Sequence, residues 1–276
     1  MVQAATAVFI DSFDADVKLA YQGVKSLRDS VRLKTGVIGS THRFPTAGKG
    51  VATQHNRGND VVAMNAGRDK VTVTLSDWDA FDYEDIMDIN KLNFDDKKII
   101  AANTVKAIGR REDQLIIDAL EDTVGTATTV GDGTTAATIA LLTEAKKTLD
   151  AANVDGEDRC LVHSADFLED LLNITAVTSS DFNTVKALVQ GDLDTYLGFK
   201  FIMIGTRTEG GLPYSTGTKR YNFAYHKQSI GLAIGKDMTT MVDWVPQKTA
   251  WQIGCVYSAG AIAIDTEGIV VVWTQE

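Results

Sequence analysis

The sequence predicts a mixed α+β fold, on three observations. Between Asp95 or Asp96 and Val124 the chain keeps apolar residues at helical spacing. A second helix, an apolar strand and a short helix then follow one another from Thr135 to Leu172. Short β-like runs precede the long helix, and mostly β-like sequence runs from Leu197 to Trp273.

Composition narrows the class. With 276 residues, 44% hydrophobic and 23% charged, the chain can bury a core in one or two domains and is neither a disordered chain nor a fibre. Its 27 Lys+Arg against 37 Asp+Glu give a net charge of -10, which argues against wrapping DNA or coating an anionic membrane. Cys160 and Cys255 lie far apart with no Cys or His at ligand spacing, so neither a disulfide framework nor a zinc site is expected. No apolar run approaches the ~20 residues that span a bilayer, and the N-terminus lacks the basic region of a signal peptide; synthesis in the cytosol is expected.

Taken in order, Phe13, Val17, Ala20, Tyr21, Val24, Leu27 and Val31 predict a helix stopping at Gly36, whose apolar face needs a partner subunit to cover it. From Thr35 to Leu75, runs such as Val37-Ile38, Val61 to Met64 and Val71 to Leu75, broken by glycines, predict a long irregular hairpin. Its Lys34, Arg43, Lys49, Arg57, Arg68 and Lys70 face only Asp60 and Asp69. The next stretch carries Asp77, Asp79, Asp82, Glu84, Asp85, Asp88, Asp95 and Asp96 against Lys91. A basic arm beside an acidic platform is complementary to its own copies. Trp78, Phe81 and Tyr83, set among those acids, predict a strand with one apolar face.

The long helix, capped by Asp95 and ended by Gly125, makes a rod of about 45 Å, with Gly109 marking a close contact or slight bend. A helix from Thr135 to Ala152, the strand Arg159 to His163 and a helix opened by Ser164 come next. A short helix from Asp181 to Gln190 leads to the strand FKFIMIG, a Gly-rich loop from Thr206 to Thr218, and the final β-rich region.

The residues give no catalytic or metal site. Gly131-Asp132-Gly133-Thr134-Thr135 before a helix resembles the nucleotide loop of group I chaperonins, and a helix N-terminus attracts phosphate, so a nucleotide-binding enzyme using residues 131–135 is the alternative from another class. A plain loop and helix cap is the preferred reading. THRFPTAGKG around Lys49 fails as a phosphate loop, because Arg43 stands at the first Gly position and Gly50 replaces the Ser/Thr that would hold magnesium. His42, His55, His163 and His226 are scattered, and the acidic run lacks the oxygen spacing of a calcium loop. No catalytic residue, cofactor or metal is expected.

In their order, a terminal arm, a long basic hairpin, an acidic turn, a rod helix and a mixed domain resemble the major capsid proteins of tailed bacteriophages, the Hong Kong 97 fold, podophage-like in detail. The stretches that carry the resemblance are ATIALLTEAKKTLDAANVDGEDRCLVHSADFLEDLL (Ala137 to Leu172), LGFKFIMIGT (Leu197 to Thr206), DIMDINKLNFDDKKIIAANTVKAIGRREDQLIIDAL (Asp85 to Leu120) and YSAGAIAIDTEGIVVVW (Tyr257 to Trp273).

The resemblance implies an N-terminal arm over 1–34, an extended E-loop over 35–75, a peripheral domain over 76–133 and 245–276, and an axial domain over 134–244. It implies hexamers and pentamers forming an icosahedral shell around double-stranded DNA, which is contents and not a tight ligand. It further implies a virion location after assembly in the host cytoplasm, a portal protein and a decoration protein as partners. The chain starts at the arm with no built-in scaffold, so a separate scaffolding protein is expected. Lys49 lies near the loop tip but no Asn follows Asn222, so the family's lysine-asparagine cross-link is not expected. Encapsulin-like and gene-transfer-agent shells share the fold and stand as alternatives. The expected interface pairs Arg43, Lys49, Arg57, Arg68 and Lys70 of one copy with Asp77, Asp79, Asp82, Glu84 and Asp85 of the next.

Overall fold

A computed structural model of the chain describes residues 26–58, 60–89, 96–174, 195–215 and 217–276. Most of the expected arm helix, the Asp95 cap and the Asp181 to Gln190 helix lie outside them. Where the arm helix was expected to continue to Gly36, the chain forms a short 3-10 turn at Arg28–Ser30 and strand β1 (Arg32–Lys34). β1 runs parallel to β10 (Ile230–Val245), and Leu27 and Val31 are fully buried in the main core. The edge of a sheet claims this segment, and tertiary pairing overrides its helical spacing.

Strands β2 (Thr41–Ala47) and β3 (Arg68–Thr74) pair antiparallel in the expected hairpin. Val37-Ile38 and Val61 to Met64 are not strands. Ile38 is 99% exposed and Val61 87%, while Val37 keeps a single backbone bond, its N–H donating to Ile234 O at 3.0 Å.

Leu75 alone separates β3 from β4 (Ser76–Asp85), after which come the turn α1 (Ile86–Ile89) and the rod α2 (Asp96–Glu121). α2 is 26 residues, about 39 Å, slightly shorter than its sequence pattern. Its buried stripe of Ile100, Thr104, Ile108, Glu112, Ile116 and Leu120 recurs every four residues and lies on Cys255, Tyr257 and Ala259 of β11 (Ala250–Ala263). β1, β10, β11 and β4 form one sheet in that order.

A second sheet has the order β5-β12-β9-β6-β8-β7, with β5 at Thr128–Val130, β6 at Arg159–His163, β7 at Thr195–Tyr196, β8 at Phe199–Met203, β9 at Lys219–His226 and β12 at Ile269–Gln275. Helices α3 (Ile139–Ala151) and α4 (Ala165–Asn173) cover one face through Leu142, Leu149, Phe167 and Leu171. On the other face Tyr221, Phe223, Tyr225 and Val271 join the core under α2. Burial on both faces explains why β12 reads as a continuous apolar run. α3 starts later than expected, at an N-cap where Thr138 accepts from Leu141 N, and Ser164 caps α4 by accepting from Phe167 N.

Sheet membership crosses residue 244 in both directions. β10 belongs with β4 and β11, whereas β12, from the 245–276 segment, belongs with β5 and β9. Between Val245 and Ala250 the chain reverses into a long hairpin, so β10 must stay beside β11.

Candidate subunit interface

The β2/β3 register puts Arg43 opposite Thr72, Pro45 opposite Lys70, and Ala47 opposite Arg68. Strand alternation then places Arg43, Lys70 and Arg68 on one face of the hairpin, and all three are exposed. The other face carries His42, Phe44, Val71 and Val73. Phe44 and Val73 are 2% and 3% exposed and pack with Ala233. Glycines let the hairpin approach so closely: a Cβ on Gly231 would lie 2.6 Å from the Phe44 ring, and one on Gly260 would lie 2.2 Å from Thr74 O.

Beyond the strands, Gly48 N donates to Gly67 O at 2.7 Å and closes the ladder. Arg57 sits in the turn that follows, beside Gly58, while Val51, Val61, Val62 and Met64 are exposed. Lys49 is not grouped with the other bases. Its Nζ meets Glu267 Oε2 at 2.6 Å, and that hydrogen bond holds the ammonium above its ordinary pKa.

Among the described residues β4 is an edge strand, paired with β11 alone. Asp77, Asp79 and Asp85 lie on the face away from α2, with Phe81 and Tyr83, and Asp82 is exposed at the opposite pleat. The expected single apolar face is therefore split. Trp78 turns toward α2, where the Arg111 guanidinium stacks 3.6 Å above its ring, and Tyr83 turns away under Lys248. Glu84 also departs from the expected set: it faces α2, is buried, and lies 3.8 Å from Lys97. Asp82 has the same pleat position and is exposed, so Glu84 is set apart by its place beside Lys97 of α2 and not by alternation alone. Asp77 and Asp79 rim a groove floored by Val37, Leu75 and Val256. Among the described residues no ion pair joins Arg43, Arg57, Arg68 or Lys70 to the acids of β4.

The sequence matches the phage capsid protein family over residues 5–276. The chain belongs to that family. No curated protein matches it. Among solved structures, the capsid of cyanophage P-SCSP1u is similar at TM-score 0.77 and 14% identity, covering 98% of this chain and 94% of that one. The capsid of cyanophage Pam1 gives 0.73 at 12% identity, covering 99% and 98%. A native gene-transfer-agent capsid gives 0.70 at 13%, covering 100% of both chains. The fold is that of Hong Kong 97-like capsid proteins, and the protein is a structural, shell-forming one.

In this capsid protein the 131–135 loop is closed by its own chain. Asp132 Oδ1 accepts from Thr134 N at 2.9 Å, the Thr134 side chain and then its backbone N–H lower the Asp132 pKa, and Lys219 Nζ donates to Asp132 O at 2.9 Å. Ala137 N is taken by Asp170 Oδ2 at 2.9 Å, and Leu141 N by Thr138. Three of the backbone donors that such a loop would offer, Thr134 N, Ala137 N and Leu141 N, already have partners within the chain. His163 is buried, with Nδ1 2.8 Å from Ser164 O and its ring against Phe167 and Phe201. Among the described residues no group of three His, Cys, Asp or Glu side chains could hold a metal, and no helix is long and apolar enough to cross a membrane.

Sequence reasoning missed two features of the capsid subunit. One is Glu267 as the partner of Lys49, which no local pattern signals. The other is the pair Glu112-Asp113, both fully buried on α2. Their signal was present, since Glu112 falls four residues after Ile108 and four before Ile116, on the helix face that is otherwise apolar.

Proposed function

We propose that this protein is a major capsid protein whose copies assemble into hexamers and pentamers of an icosahedral shell enclosing double-stranded DNA. The observation that carries this reading is the pair of unmatched stripes on one chain. Arg43, Arg68 and Lys70 share an exposed hairpin face, with Arg57 beyond it, while Asp77, Asp79, Asp82 and Asp85 lie along an edge strand. One subunit offers both halves of a heterologous contact, the kind that closes into rings. Each exposed pair contributes only about 0–1 kcal/mol, so register and multiplicity supply the strength. The exposed Val61, Val62 and Met64 add apolar surface for a neighbour to cover. Like charges along β4 oppose pairing of that edge with its own copy.

In this reading 35–75 is the E-loop, α2 and the four-stranded sheet form the peripheral domain, and the six-stranded sheet forms the core of the axial domain. Net acidity suits a container that must not grip its DNA. Assembly in the host cytoplasm, a separate scaffolding protein, a portal and a decoration protein complete the proposal. A gene-transfer-agent shell is the second reading, favoured by end-to-end similarity of the folds, and differs in the origin of the enclosed DNA.

Negative-stain microscopy and size-exclusion chromatography of the chain, alone and with a co-expressed scaffolding protein, test this. Closed shells or hexameric and pentameric rings are expected, with nuclease-resistant DNA in particles from infected cells. A stable monomer under both conditions would overturn the proposal.

A further inference from the structure

Three segments meet at the middle of α2. Asp113 is fully buried, and its carboxylate accepts from Ser26 N at 3.0 and 3.1 Å, from Ser26 Oγ at 3.2 Å and from Leu27 N at 3.0 Å. The same carboxylate accepts from an Arg207 guanidinium nitrogen at 2.9 Å. Arg207 Nε in turn donates to Gly210 O at 2.8 Å, and Gly210 N donates to Gln114 Oε1 at 2.6 Å. Gly210 has φ +71, and a Cβ there would lie 2.7 Å from Arg110 O, so the 206–211 loop is pressed onto the helix backbone. Next to Asp113, the equally buried Glu112 lies 3.7 Å from Arg28, which also grips Asp237 of β10 at 2.7 Å.

Two consecutive acids are thus buried on one helix, and the charge facing them comes from two separate segments. Arg28 belongs to the root of the N-terminal segment, Arg207 to the loop after β8. A buried carboxylate tolerates its site only while donors and cations surround it. If the root left, Asp113 would lose four donor contacts and Glu112 its nearby Arg28. If the loop left, Asp113 would lose its cation, and the hold on Ser26 and Leu27 would be that of a poorly compensated buried charge.

We propose that Asp113 is a positioning residue that couples the N-terminal root to the 206–211 loop, so that displacement of either loosens the other. In a shell protein this would let the segment beginning at Ser26 and the loop report on each other's contacts with neighbours. The coupling lies within one subunit and holds whether or not the shell reading does.

Hydrogen exchange by mass spectrometry on the full-length chain tests it, reading segments 26–34 and 206–214 in Arg207→Gln and Arg28→Gln. Neither substitution lies in α2. Arg207→Gln is expected to speed exchange of 26–34 by about tenfold, and Arg28→Gln to speed that of 206–214 comparably, with Arg207→Lys restoring part of the protection. Variants that loosen only their own segment would overturn the proposal. So would a uniform rise that includes β6 and β9, because it would mark global unfolding and not coupling. The microscopy above judges the shell reading separately, since this readout needs no assembly.

Discussion

The carbonyl of Thr74 rests directly on Gly260: a Cβ at that position would lie 2.2 Å from the Thr74 oxygen and 3.0 Å from a Val73 methyl. The obstructing atom is backbone, so it cannot swing aside as a side chain end would. The hairpin stands on a seat that only glycine leaves open. Gly260→Ala is therefore expected to lift the hairpin root and cost about 1–3 kcal/mol, the range for overpacking a well-filled site. A thermal melt checks the stability, and proteolysis within 49–66 checks the hairpin. An unchanged melt and cleavage pattern would show that the contact relaxes freely.

Reversing charge in the basic stripe separates assembly from folding. Arg57→Glu with Arg68→Glu should leave the unfolding free energy within about 0.5 kcal/mol of the parent, because both side chains are exposed. Ring or shell formation should fall sharply, and Asp77→Lys with Asp79→Lys in the same chain should restore part of it. Normal particles from the first double variant would remove the stripes from the interface.

The last side chain of the chain is a latch between sheet and helix. Glu276 lies 2.8 Å from Arg220 Nε and accepts from the Ser164 hydroxyl, with both charged side chains buried. Glu276→Ala leaves Arg220 buried without that carboxylate and is expected to cost about 3 kcal/mol in a denaturant titration.

Burial pushes the Glu276 carboxyl above its ordinary pKa, while Ser164 and Arg220 pull it back only in part. A raised folded pKa contributes stability below the unfolded value and loses it as pH rises through the folded value. The stability advantage of the parent over Glu276→Gln should therefore shrink as pH climbs through the carboxylate range. A gap that widens instead would mean that Arg220 dominates the site.

Cys160 is buried and its thiol is pushed up to about 11. Cys255 is buried as well, and burial raises its thiol too. The sign makes both thiols neutral and unreactive in the fold, with stability from Cys160 complete below the ordinary thiol pKa and lost as pH rises from there through about 11. Iodoacetamide at neutral pH should label neither cysteine until denaturant is added. Rapid labelling of folded protein would show that the second sheet opens near β6.

Where local pattern and burial agree, sequence and structure agree. α2, β6, the Ser164 cap of α4 and the β2/β3 hairpin lie where hydropathy period and capping chemistry put them. The basic and acidic groups were legible as a charge asymmetry. Their division by face was not, because a two-residue period settles the face only once the strand register is fixed. Glu84 and Asp82 share a pleat, so only the packing of α2 decided between them: Glu84 lies near Lys97 while Asp82 remains at the surface.

Alone, the sequence determined the rod helix, the helix-strand-helix unit after it and the basic hairpin beside an acidic segment, because these follow from spacing and charge along the chain. Contacts between residues distant in sequence had to be decided by tertiary structure. These include β1 joining β10, β12 joining the second sheet, Lys49 reaching Glu267, and Asp113 gathering Ser26, Leu27 and Arg207. Such pairings depend on which edges and buried donors remain open once the core has formed, and no local pattern encodes that.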